Sequence, residues 1–189
     1  MTFIDVLSAI GTYAWGLFLY WLSIMFIFPF KDLEVLWILI PVWLNLVFTD
    51  FFQERRGASL GNAVTNGIVQ AWVGVDWLRF LWRTYPGASW LFALKVFICF
   101  LVLLHGTSIV IQSLKHNKGV QAWGRVRVTR YVMIMLSPIV YNIAQPSLYY
   151  LLAGLAFFPI FYYMLELIEH FVPDIEEEES SPFKLPSLK

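Results

Sequence analysis

The chain has 189 residues, of which 59% are hydrophobic and 19% aromatic, and 13 Lys plus Arg balance 13 Asp plus Glu. The apolar share is well above the roughly 45–50% of soluble globular domains, and zero net charge supplies no electrostatic footprint for nucleic acid. One Cys and three His exclude an intrachain disulfide and a CxxC redox or zinc motif; no metal or cofactor is expected, and no P-loop, GxSxG, HExxH or GxGxxG signature occurs.

The charges fall in a few clusters, and the stretches between them approach the ~20 apolar residues a helix needs to cross a bilayer. The pattern predicts an all-α polytopic membrane protein over residues 1–173, a bundle of six transmembrane helices with one interfacial amphipathic helix. The first span covers 6–28. It follows an N-terminus with an acid and no Lys or Arg, unlike a cleavable signal peptide, so it is expected to be retained. The second covers 33–52. The third, 58–75, is the least hydrophobic and is expected to be the central helix. Segment 76–89 mixes Trp77, Phe80, Leu81 and Trp82 with Arg79 and Arg83 and reads as the interfacial helix.

The fourth span covers 90–114, with Lys95 near its start placed to snorkel to the surface. The uncharged stretch 131–165 is too long for one crossing. Gln145-Pro146 divides it, because proline turns the preceding residue away from the helical region. Spans 128–144 and 147–170 result; five spans with one re-entrant segment is the alternative. The acidic tail 174–189 cannot bury a core and is expected to be disordered. Arg55, Arg56, Lys115, Lys118, Arg125, Arg127, Arg130, Lys184 and Lys189 would lie on one side, Lys31, Arg79, Arg83 and Lys95 on the other. The positive-inside rule then puts both termini in the cytoplasm of a cell that carries the protein in its plasma membrane.

Three groups of residues carry functional expectations. On the third span Asn62, Asn66 and Gln70 recur at i+4, with Thr65 and Asp76 beside them. Amides in hydrocarbon demand partners, so this arc is either glue between helices or the lining of a polar path. His105 shares a face with Ser108 and Gln112 and is placed to meet the third span, as a buried bonded imidazole or a proton relay. Gly67, Ala71 and Gly74, and the Gly57–Gly61 pair, offer small-residue faces for close helix contact.

Second, Asp50 and Glu54 share a helix face at a cytoplasmic turn, paired either with Arg55 or Arg56 or with a Mg²⁺ that holds a lipid diphosphate. The Asn45–Asp50 spacing departs by one from the NxxxDxxxD pattern of membrane prenyltransferases, and no second Asp-rich motif follows. Third, Lys115, Lys118, Arg125, Arg127 and Arg130 form a polybasic loop expected to touch anionic lipid headgroups. Glu166, Glu169 and His170 read as a solvated helix end.

The leading expectation is a small-solute or ion transport or channel protein, with a path lined by Asn62, Thr65, Asn66, Gln70, Asp76 and His105. The alternative is a non-catalytic subunit or scaffold of a larger membrane complex; a metal-dependent lipid-modifying enzyme is third. Expected partners are membrane lipids with anionic headgroups and either further copies of the chain or other subunits.

Overall fold

The computed structural model describes residues 2–52, 59–84, 87, 89–117 and 119–171. The fold is all-helical: α1 (Phe3–Phe26), α2 (Leu33–Phe52), α3 (Leu60–Thr84), α4 (Trp90–Leu114), the single turn α5 (Val120–Trp123), α6 (Val126–Val140) and α7 (Leu148–Phe171). A 3-10 turn, Phe28–Lys31, joins α1 to α2 with Pro29 in its first turn. The tail 174–189 lies outside the described residues.

Local chemistry sets the ends of these helices. Thr2 and Asp5 form a reciprocal capping box at the start of α1. Ser89 caps α4 by accepting from the Phe92 N–H at 3.1 Å. At the far end of α6, Asn142 takes a left-handed conformation (φ 63°), which Asn tolerates better than most residues. The N–H groups of Ile143 and Ala144 then both donate to the Pro138 carbonyl. The fifth predicted span was to run to 144; this turn stops the helix at Val140. Lys95 does not snorkel: it is 1% exposed and its ammonium donates to the Asn142 side chain, tying the turn to α4.

α6 forms the centre of the bundle. Twelve of its fifteen residues are buried, and α1, α2, α3 and α7 each pack on it, while α4 packs on α3. The expectation that the third span would be central is therefore corrected. Its helix, α3, keeps an exposed stripe through Thr65, Ile68, Trp72, Val75 and Arg79. The separate interfacial helix is corrected as well, since residues 76–84 simply continue α3. Its buried positions Asn66, Gln70, Val73, Trp77 and Leu81 keep the i+3/i+4 rhythm of one helix face without a break.

α3 and α4 meet backbone to backbone. A Cβ on Gly106 would stand 2.7 Å from both the Gly67 carbonyl and the Ala71 nitrogen, and one on Gly67 2.7 Å from the Gly106 carbonyl. The small-residue face that packs is thus Gly67, Ala71 and Gly74. A Cβ on Gly61 would meet only Ser59 Oγ, at 3.7 Å, and Gly57 lies outside the described residues.

Four helices, α1, α2, α4 and α7, are long and apolar enough to cross a membrane. Their apolar surface is largely not core: in the most apolar stretch of α7 only 17% is buried within the protein. Leu19, Trp37, Trp72, Leu104 and Leu155 are among the large apolar side chains that face outward. α3 is long but too polar to join that group, and α6, with 15 residues, is short.

Candidate functional site: a buried arginine network

The polar interior is organised by two arginines on α6. Arg127 and Arg130 are three residues apart and so share a helix face, and that face is turned inward: they are 5% and 0% exposed. Both were expected to touch lipid headgroups from a cytoplasmic loop. The helix begins at Val126, which places both arginines inside the bundle instead.

Arg127 gathers three carboxylates. Its Nε donates to Asp50 Oδ1 on α2 at 2.6 Å, and its two terminal nitrogens donate to Glu166 and Glu169 on α7. The guanidinium also lies 5.0 Å over the Tyr162 ring, a favourable cation–π position. Asp50 is 3% exposed, so its ion pair with Arg127 is fully desolvated. The expected partners Arg55 and Arg56, and Glu54 itself, lie outside the described residues. Glu166 and Glu169 were read as a solvated helix end; the first is 60% exposed at its side chain, the second only 15%, and both serve the same arginine.

One turn deeper, Arg130 binds neutral partners. Its Nε donates to Asn45 Oδ1 on α2 at 2.8 Å, a terminal nitrogen reaches the same oxygen, and it donates to Asn66 Oδ1 on α3 at 3.1 Å. Asn66 Nδ2 donates in turn to the Gly124 carbonyl at 2.9 Å. A turn further along α3, Gln70 Nε2 and His105 Nδ1 on α4 are hydrogen-bonded at 2.8 Å. The two arginines, two Asn, Gln70 and His105 thus form a polar file from the end of the bundle that holds Asp50 toward its middle.

The predicted path residues divide. Asn66 and Gln70 are buried in the file and His105 is half-buried against α3. Asn62 is half-buried at the start of α3, where its N–H donates to Ser59 Oγ. Thr65 faces outward and returns its hydroxyl to the Gly61 carbonyl. Asp76 belongs to the opposite end, where it binds Arg79 at 2.7 Å and accepts from the Tyr141 hydroxyl at 2.9 Å. Of the polybasic loop, Lys115 and Arg125 are exposed and Lys118 lies outside the described residues.

Among the described residues, four buried side-chain atoms have no hydrogen-bond partner: Asp50 Oδ2, Gln70 Oε1, Trp77 Nε1 and Ser113 Oγ. Unmet buried acceptors such as the first two each cost ~1–3 kcal/mol. Among the described residues no group of three His, Cys, Asp or Glu side chains converges for a metal ion, and Asn45 and Asp50, the residues nearest a diphosphate-binding pattern, are each held by a guanidinium. Sequence reasoning missed Arg130–Asn45 and Arg127–Asp50. The available signal was arithmetic: Asn45 and Asp50 in apolar surroundings needed donors, and Arg127 and Arg130, at helical spacing, needed acceptors.

Comparison with known proteins returns no match, whether against family models, curated proteins or solved structures. The functional reading therefore rests on geometry.

Proposed function

We propose that the protein is an integral membrane protein that moves protons or small cations, with the Asp50–Arg127–Glu166–Glu169 cluster at the cytoplasmic end of its path and the Arg130–Asn66–Gln70–His105 file leading inward. The observation that carries this reading is the pair of buried acceptors, Asp50 Oδ2 and Gln70 Oε1, left without donors at the two ends of that file. Acceptors in a low-dielectric interior call for a mobile donor, a water or a hydrated cation. Three carboxylates also converge on the Arg127 guanidinium there. Ionisable groups inside a membrane are costly and mark ion pathways and proton relays more often than chance.

On this reading six helices, α6 the shortest, alternate across a plasma membrane with both chain ends on one side, which the positive-inside rule makes cytoplasmic. A homo-oligomer, or a complex with other subunits, would complete the assembly.

The test is flux into liposomes that contain the purified protein, read by a pH-sensitive dye and by K⁺ and Na⁺ release under an imposed potential. The wild type should exceed protein-free liposomes. Asp50→Asn should lose that flux while keeping its fold, and Thr65→Val, on the outward side of α3, should keep it. Wild-type liposomes as tight as empty ones for all three ions would end the transport reading.

A scaffold role has its own supporting observation. Asn66 bridges α3 to the Gly124 carbonyl and to Arg130, as an amide that only fastens helices would. Asn66→Leu separates the two: a scaffold amide predicts a destabilised bundle, a path amide a stable bundle without flux.

A further inference from the structure

The central helix is walled in on every side but one. Of the fifteen residues in α6, only Val128, Val132 and Leu136 are not buried, and they fall at i, i+4 and i+8, a single stripe. That stripe lines a groove of about 350 Å³ between α6 and α7, completed by Leu155 and Phe158 of α7 over a floor that includes Tyr131 and Gly154. No charged side chain lines it. Gly154 keeps it open, and the Tyr131 hydroxyl binds the Gly154 carbonyl at 2.5 Å, fixing the floor.

An exposed cation stands at one end of this groove. Arg125 lies one turn before Val128 and Tyr162 one turn after Phe158, and the Arg125 guanidinium donates to the Tyr162 hydroxyl at 2.7 Å. Arg125 is exposed, and among the described residues it has no carboxylate partner; Glu166 and Glu169 are taken by Arg127. A guanidinium has five N–H donors, so one bond to Tyr162 leaves most of them for an anion. The charge at the mouth and the hydrocarbon lining behind it match one molecule with an anionic head and an apolar tail.

We propose that the α6–α7 groove binds an acyl chain of an anionic phospholipid whose phosphate is held by Arg125. The lipid completes the wall around α6. The proposal needs the membrane placement but not the transport reading, and liposome flux and lipid retention report on them separately.

Full-length protein in mild detergent is mixed with equal amounts of phosphatidylglycerol and phosphatidylcholine that carry the same chains, and the retained lipid is weighed by native mass spectrometry. The wild type should hold one phosphatidylglycerol with about fivefold preference, the discrimination that roughly 1 kcal/mol from one arginine provides. Arg125→Gln should still retain lipid but with a ratio near one. Gly154→Leu puts a side chain in the groove and should retain neither lipid. Its Cβ would meet only the end of the Met135 side chain, at 3.1 Å, so the helix can accommodate it. Leu155→Trp, at an outward position on the groove wall, provides a second block if that variant unfolds. Equal retention of the two lipids by the wild type, unchanged retention in the blocked variants, or a dimer that Gly154→Leu splits would each overturn the proposal.

Discussion

At the scale of single residues the molecule turns on one unequal ratio, three carboxylates to one guanidinium. Arg127 uses Nε for Asp50 and its terminal nitrogens for Glu166 and Glu169, so its removal takes the shared guanidinium from three acids, one of them 3% exposed. Breaking a buried ion pair from one side costs ~3–5 kcal/mol because the partner is left charged and unsolvated. Arg127→Gln should therefore lower the unfolding midpoint in detergent sharply. Asp50→Asn should cost much less, since it relieves like-charge crowding and leaves two carboxylates on the arginine. Equal losses, or a larger one for Asp50→Asn, would refute this charge arithmetic. Sequence alone reached Asn66, Gln70 and His105, because an amide every fourth residue in an apolar run declares a polar face. It did not reach Arg127 and Arg130. Basic residues beside an apolar stretch read as a loop that tops a span, and only the position of the helix start at Val126 decides whether they face lipid, water or core.

Among elements, the tightest union is α3 with α4. Gly106 sits against the Gly67 carbonyl and the Ala71 nitrogen, both backbone atoms that cannot rotate away. Gly106→Val should force the helices apart and cost ~1–3 kcal/mol or more, the range for overpacking a close contact; thermal unfolding of the solubilised protein measures it. Gly61→Ala, whose Cβ would make only an ordinary contact with Ser59 Oγ at 3.7 Å, serves as the silent control. The small-residue face Gly67–Ala71–Gly74 was legible from spacing, whereas the partner glycine on α4 was not, because a lone Gly in an apolar run carries no periodic signal. The boundary after Val75 failed for a related reason. Asp76 and Arg79 look like an interruption in a list of residues, but on the helix they pair at i, i+3 on a side that leaves Trp77 and Leu81 buried.

For the whole molecule, helix lengths differ in a way that matters. Trp37, Trp82 and Trp90 are exposed at the start of α2, the end of α3 and the start of α4, one end of the bundle, where an indole suits a membrane interface. α3 and α4, at 25 residues each, reach ~37 Å, enough for a hydrocarbon core of ~30 Å. α6 has 15 residues and reaches only ~22 Å. It is both the shortest of these helices and the one on which α1, α2, α3 and α7 pack. The apolar count of the sequence divided the chain into six segments but gave no means of seeing that the shortest of them would be the hub.

That shortness bears on how the protein is made. On the proposed membrane reading, a segment of ~22 Å that opens on two arginines in its first turns has little tendency to leave the translocon for lipid unaided. It would enter as a guest of surfaces synthesised earlier: Asn45 and Asp50 on α2 and Asn66 on α3 receive Arg127 and Arg130, and α7 brings Glu166 and Glu169 last. Nascent chains cut after residue 147 and given a glycosylation tag should be modified when α2 is native and lose the modification with Asn45→Leu and Asp50→Leu together, whereas a tag after Phe171 on the full chain should stay unmodified. With that outcome the arginine network would be a checkpoint in biogenesis. A chain whose early helices are defective would leave its hub on the wrong side of the membrane, where quality control can find it before the last helix is made.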